Sequence, residues 1–166
     1  MGKLLILGAG QHGRVVKEIA ELGGQFEEIA FLDDKSPLAI GKLEEYLKYK
    51  EEYQSAHVAF GNAKLRREWI KKLMEAGFEL PVIAHPTAII SESAQIGPAV
   101  VMGAYTVVNR ESVVGCGTIL AVGAKVDHNV SIGKYCHMDC GAIVECNAVV
   151  PNTVKVEAGG IFRRDS

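Results

Sequence analysis

Gly8-Ala9-Gly10-Gln11-His12-Gly13 directly follows the apolar run Leu4-Leu5-Ile6-Leu7 and leads into a segment with helical periodicity. In that context a G-x-G-x-x-G spacing can bind phosphate, because the glycines let backbone N–H groups approach an anion where a helix opens. Asp33 and Asp34 close a second apolar run about twenty residues later, where a carboxylate can accept hydrogen bonds from a ribose or a base. The competing reading is a tight strand-to-helix turn with no ligand; strand, helix and acids together favour binding. Towards the other end lie His128 and His137. An imidazole, with an unperturbed pKa of about 6.5, is the side chain best matched to accepting a proton near neutral pH.

These residues need elements to hold them. Residues 3–8 read as a buried strand, 14–22 as a helix stopping at Gly23-Gly24, and 28–32 as a second strand. A loop with Pro37 and Gly41 leads to a helical stretch over 43–53, and 57–60 gives a third strand that His57 opens as a solvated residue. Asn62 caps a helix over 63–76 with Leu65, Trp69, Leu73 and Met74 on its apolar side and Gly77 as its stop. A last strand, 78–84, feeds His85-Pro86. This is a small parallel α/β sheet with room for one mononucleotide half only, so a mononucleotide or nucleotide-sugar fits better than a dinucleotide.

From Ala84 onward the chain repeats every six residues, placing Ala84, Ile90, Ile96 and their successors through Phe162 in one apolar column. Four residues after each member stands a small one, from Ala88 through Thr106, Ser112, Thr118 and Cys136 to Gly160. A period of six fits neither 3.6 nor a heptad but is a multiple of the strand period of two, which indicates a β-solenoid stable only when its units stack. The domains are therefore expected at 1–83 and 84–166. His128 and His137 fall outside both inward registers. Val101, Val107, Val113, Ile119, Ile143 and Val149 also face outward, an apolar surface that calls for an oligomer.

A formal charge of −2 without a basic run argues against nucleic acid or an anionic membrane as partner. No apolar stretch approaches a membrane span and no export signal opens the chain, so a cytoplasmic location is expected. The cysteines at 116, 136, 140 and 146 then read as reduced thiols in small sites.

The opening Gly-Ala-Gly-Gln-His-Gly-Arg, the segment Phe31-Leu32-Asp33-Asp34, the junction Ile83-Ala84-His85-Pro86-Thr87-Ala88 and the stretch from His128 to His137 resemble the bacterial sugar O-acyltransferases of the sialic-acid O-acetyltransferase type, including the UDP-4-amino-sugar N-acetyltransferases. The resemblance implies an α/β half-Rossmann domain followed by a left-handed parallel β-helix of triangular three-hexad coils. It also implies a homotrimer and an acetyl-coenzyme A site in the groove between subunits. By the same resemblance Gly8, Gly10, His12, Gly13, Asp33 and Asp34 hold a nucleotide-sugar. His128 would be the general base, His137 would contact the thioester end of the coenzyme, and Gly141 and Cys146 would stand beside it. The activity implied is N- or O-acetyl transfer from acetyl-coenzyme A to a nucleotide-linked sugar in surface glycan synthesis, with no metal.

The sequence departs from that pattern where Asn129 replaces an acid after the histidine and Cys146 replaces a glycine, and the repeats end at Phe162-Arg163-Arg164-Asp165-Ser166, earlier than usual. These departures keep a second reading in view, a non-catalytic nucleotide-sugar binder that has lost coenzyme affinity. If residues eighteen apart stack at about 4.8 Å, Glu111 lies diagonal to His128 and could supply the missing carboxylate. Cys146 then stacks on His128, either as a small filler or, by thiol–imidazole logic, as a nucleophile. Zinc would need His85, His128 and His137 to converge, or Cys136, His137 and Cys140, and neighbouring strand residues point to opposite sides.

Overall fold

The computed structural model describes residues 2–165 and divides into two compact units, Met1–Pro81 and Val82–Ser166. In the first, strands β1 (Gly2–Leu7), β2 (Phe26–Leu32), β3 (Ala39–Gly41) and β4 (Ser55–Val58) form a parallel sheet in the order β3-β2-β1-β4. Leu4 through Leu7 are fully buried, as a central parallel strand covered on both faces requires. Helix α1 (Gln11–Gly23) begins three residues before the expected Arg14 and ends at Gly24, whose left-handed φ of 63° closes the last turn.

Helix α2 (Ala63–Glu75) is capped as expected, the Asn62 side chain accepting the Leu65 N–H at 3.0 Å. Its buried face differs from the expected one. Arg66, Trp69, Ile70 and Leu73 point inward at i, i+3, i+4, i+7 spacing, while Leu65 and Met74 are 47% and 53% exposed. A charged residue belongs to that face because the Arg66 guanidinium donates to the carbonyls of Phe60 at 2.8 Å and Gly61 at 2.9 Å, fixing the turn after β4. Two further expectations need revision. Leu43–Tyr49 is a 3-10 helix, and 78–84 is not one strand: Glu79 makes an isolated bridge to Ser55, Pro81 has no N–H to give a ladder, and pairing resumes at Ile83–Ala84.

The second unit carries fourteen two-residue strands among the described residues, from Ile83–Ala84 to Ile161–Phe162. They sort into three parallel sheets, each strand pairing with the one eighteen residues on, as in Val101↔Ile119↔His137↔Lys155. The second residue of every strand is the apolar column read from the sequence, and its central members Met102 to Val150 form the core. The inward Ser and Thr do more than fill space. Ser112 Oγ donates to Asp127 O at 2.7 Å and accepts Val130 N–H at 3.1 Å; Thr118 makes the same pair with Gly133 O and Cys136 N. Corners recur with equal regularity: residues 99, 105, 111, 117, 123, 129, 135, 141, 147, 153 and 159 all have positive φ, and seven of them are not glycine. Of the outward apolar residues, Val101 and Ile119 are already buried within the chain, while Val113, Ile143 and Val149 remain 39%, 38% and 68% exposed.

His57 is the other correction. It is not solvated but 1% exposed in β4, beside Ile6 of β1, with its Nδ1 unpaired. Burial first, then the neighbouring His12 and Arg66, push its pKa down to about 3. An unfolded histidine takes up a proton near 6.5, so between that pH and about 3 the unfolded chain binds one more proton than the folded one. Stability from His57 is therefore present above pH 6.5 and lost as pH falls towards 3. Urea midpoints followed by fluorescence of Trp69, the single tryptophan, should fall with acidification through this window, and His57→Leu should flatten the slope.

Candidate active site

In the first unit the chain leaves β1 towards β2 and β3 on one side and returns to β4 on the other, which makes the carboxyl ends of β1 and β4 the switch point where α/β sheets take ligands. Its walls are the Gly8–Gly13 loop and the segment 59–62. They abut so closely that a side chain on Gly8, itself at φ 103°, would lie 2.8 Å from the Phe60 ring. Gly13 is needed for a different contact, since a Cβ there would lie 1.9 Å from Gly8 O. Gly10 has φ −70° and nothing within 4 Å of where a Cβ would stand. It is also the N-cap of α1, without a side-chain cap and without an acid in the first turn. The positive helix end and open space therefore coincide at Gly10, as an anion requires.

Asp33 and Asp34 divide their tasks. Asp33 accepts N–H groups from Ala9 at 2.8 Å and from Lys35 and Ser36 at 2.9 Å each, so it braces the glycine loop against the end of β2. The Ala9 bond foremost holds its carboxyl below the usual range, against a partial desolvation. Asp34 is exposed and, among the described residues, accepts the Leu43 N–H through Oδ1. His12, half-buried in the first turn of α1, stands near enough to His57 for the charged rings to repel. A hollow of about 580 Å³ lined by Arg14, Lys17, Phe31, Leu38 and Ile40 lies over the β2–β3 edge and is not lined by Gly8, Gly10, His12, Gly13, Asp33 or Asp34.

In the second unit His128 occupies a corner between the strands Lys125–Val126 and Ser131–Ile132. Its Nδ1 meets Asn129 Oδ1 at 2.9 Å, and Asn129 Nδ2 donates to Glu111 Oε2 at 2.6 Å. The direction of this relay is forced. A carboxylate only accepts, so the amide must turn its NH2 to Glu111 and its oxygen to the ring; Nδ1 must then carry the proton, and Nε2 is left with the lone pair. Glu111 thus reaches His128 through Asn129 and does not touch it, which makes it a positioning residue. The Arg110 guanidinium, 2.7 Å away, and then the Asn129 bond hold the Glu111 carboxyl below its ordinary range.

Asp127 was not singled out from the sequence for this role. Its Oδ1 accepts the backbone N–H of His128 at 2.7 Å and Asn109 Nδ2 at 3.3 Å, pinning the corner from outside while Ser112 holds it from within. The signal was available, since Asn109 and Asp127 are eighteen apart. A groove of about 280 Å³ beside the corner is lined by Val107, Asn109, Lys125, Asp127 and Ile143. Cys146 stacks one coil beyond His128, the Asn147 N–H donating to His128 O at 3.2 Å. Gly141 is a corner residue at φ 67° with open space above it.

His137 lies elsewhere. It opens the strand His137–Met138, half-buried, with Asp139 Oδ1 at 3.9 Å from Nε2. Nine residues is half of an eighteen-residue coil, so His137 sits on the face opposite the His128 corner.

The PglD N-terminal domain family matches residues 3–73. The acetyltransferase domain of PglB from Neisseria gonorrhoeae FA1090 is 32% identical, with a TM-score of 0.87 over 98% of this chain and 91% of that one. The same domain solved with acetyl coenzyme A gives 31% and 0.84 over 97% and 92%. GDP-perosamine N-acetyltransferase of Escherichia coli O157:H7 is 22% identical over 170 residues, covering 96% of this chain and 77% of that protein. UDP-N-acetylbacillosamine N-acetyltransferase of Bacillus subtilis strain 168 is 28% identical over 111 residues, 61% of this chain and 51% of that protein. The solenoid is accordingly a left-handed parallel β-helix behind a Rossmann-like α/β unit.

The glycines separate structure from binding. Gly13→Ala should lower stability by about 1–3 kcal/mol through the clash with Gly8 O. Gly10→Ala should leave the thermal midpoint in place yet weaken binding of a nucleoside-diphosphate sugar at least about tenfold. Equal binding by Gly10→Ala and wild type in calorimetry would remove the anion from this loop.

Proposed function

The chain belongs to the family of sugar acetyltransferases that includes the PglB acetyltransferase domain, and from this premise we propose that it transfers the acetyl group of acetyl-coenzyme A to the amine of a nucleotide-linked sugar in glycan biosynthesis. The observation that carries the reading is the Glu111–Asn129–His128 relay, which presents the Nε2 lone pair at a half-exposed corner. The amine attacks the thioester carbonyl while Nε2 takes its proton. The tetrahedral intermediate then collapses, the C–S bond breaks, and the imidazolium returns the proton to the departing thiolate. No covalent enzyme intermediate and no metal are needed. The nucleotide-sugar is held at Gly10 and Asp34, with Asp33 and Gly13 shaping that loop and His12 beside it. The two N-acetyltransferase relatives support an amine over a hydroxyl.

Two copies are required by this reading. Since His128 and His137 occupy opposite sides of one coil, a coenzyme touching both must lie in a groove between neighbouring chains, with Gly141 and Cys146 near it. A homotrimer closes such a heterologous contact and covers Val113, Ile143 and Val149. No helix among the described residues is long and apolar enough to cross a membrane, and the reading puts the chain in the cytoplasm, where acetyl-coenzyme A is supplied. The second reading, a nucleotide-sugar binder without transferase activity, is kept by Cys146, which puts a side chain where the family pattern expects a glycine.

Release of free coenzyme A thiol in the presence of UDP- or GDP-linked 4-amino-sugars tests the proposal. His128→Ala should lower kcat by roughly a hundredfold with little change in KM. Glu111→Ala should lower kcat several-fold, whereas Glu111→Gln, whose amide oxygen still accepts the Asn129 N–H, should keep most of it. Tight nucleotide-sugar binding with no thiol release from the wild type would leave the binding-module reading. Co-refolding His128→Ala with His137→Ala chains should restore about a quarter of wild-type turnover if each site draws one histidine from each neighbour; no recovery would place both in one chain's site.

A further inference from the structure

We propose that the His128 corner is also a site for a zinc-type divalent cation, held by His128 Nε2, the Cys146 thiolate and an Asp127 carboxylate oxygen. One ligand atom from each of these half-buried residues lies within 4.8 Å of the others. Tetrahedral zinc, with bonds of about 2.0–2.3 Å, sets its ligands about 3.5 Å apart, so the side chains need to close by at most about 1.3 Å.

The three donors are prepared for the task by contacts already described. The relay through Asn129 puts the ring proton on Nδ1 and turns the lone pair of Nε2 outward. Both hydrogen bonds made by the Asp127 carboxylate fall on Oδ1, which leaves Oδ2 open among the described residues. Cys146 is held one coil away by the Asn147 N–H to His128 O. A nitrogen, a sulfur and a single oxygen suit zinc and exclude magnesium or calcium, which take oxygen sets. The other cysteine group weighed from the sequence does not compete: Cys136 is buried facing the core, with its Sγ 3.1 Å from Pro151 O.

One consequence rests on the base reading above, whereas the binding does not. A lone pair given to a metal cannot take a proton, so the cation would switch the transferase off by occupying Nε2.

Cobalt(II) makes the site visible. Titrating Co²⁺ into the chelator-treated full-length protein should give a near-ultraviolet thiolate-to-cobalt charge-transfer band and tetrahedral visible bands saturating at one ion per chain, and Zn²⁺ should abolish them. Cys146→Ser should remove the charge-transfer band. His128→Ala and Asp127→Asn should each weaken Co²⁺ binding more than about tenfold, and Cys140→Ser, altering an exposed thiol outside the corner, should change nothing. Absence of the band in the wild type, or its survival in Cys146→Ser, overturns the site and leaves the transferase reading untouched. A band that depends on Cys146, with acetyl transfer unaffected by saturating Zn²⁺, keeps the site and overturns His128 as the base.

Discussion

Each residue of the solenoid takes its place from backbone hydrogen bonds to the coil eighteen residues away. Such bonds have one register, fixed by the apolar column that must face inward, and every lateral neighbour follows from it. Glu111 meets Asn129, Asn109 meets Asp127, and Cys146 comes to rest over His128 because the ladder leaves them no other partner. The arrangement at the corner is thus assembled from three coil segments by a backbone interaction that carries no chemical information of its own.

The column was legible because it repeats: a single Met or Val says little about burial, but fourteen apolar residues at one spacing allow no other periodicity. Glu111 was legible for the same reason, as a matter of counting. Its manner of acting was not, since that depends on which end of the Asn129 amide faces which neighbour, a question settled by the acceptor-only carboxylate. In the α/β unit the elements were readable and their faces less so. Leu65 and Met74 were assigned inward on apolarity alone, whereas the helix buries Arg66 in their place because two loop carbonyls need its guanidinium. His57 escaped for want of a neighbour in sequence to mark it; its burial follows from the fold, in which β4 pairs with β1 and packs against α2.

The glycine motif is also less uniform than its spacing suggests. Gly8 and Gly13 answer to the backbone and the ring that crowd them, and Gly10 alone answers to empty space. Asp33 follows the same logic: an acid at the end of β2 reads as a ligand for a ribose, and in the fold its carboxylate also accepts the amides of Ala9, Lys35 and Ser36.

The left-handed corners at every sixth residue give the solenoid something like a reading frame. Inserting one residue would shift every later side chain from core to solvent and move every later corner onto a residue not suited to it. Loss or gain of a whole coil would leave all downstream columns intact. Length in this half of the molecule therefore changes by quanta of eighteen, and any single-residue insertion that persists must bulge out at a corner. Glu111 and Asn129 stand at such corners, with His128 beside them, so such loops would enter the chain's history next to that relay and not away from it.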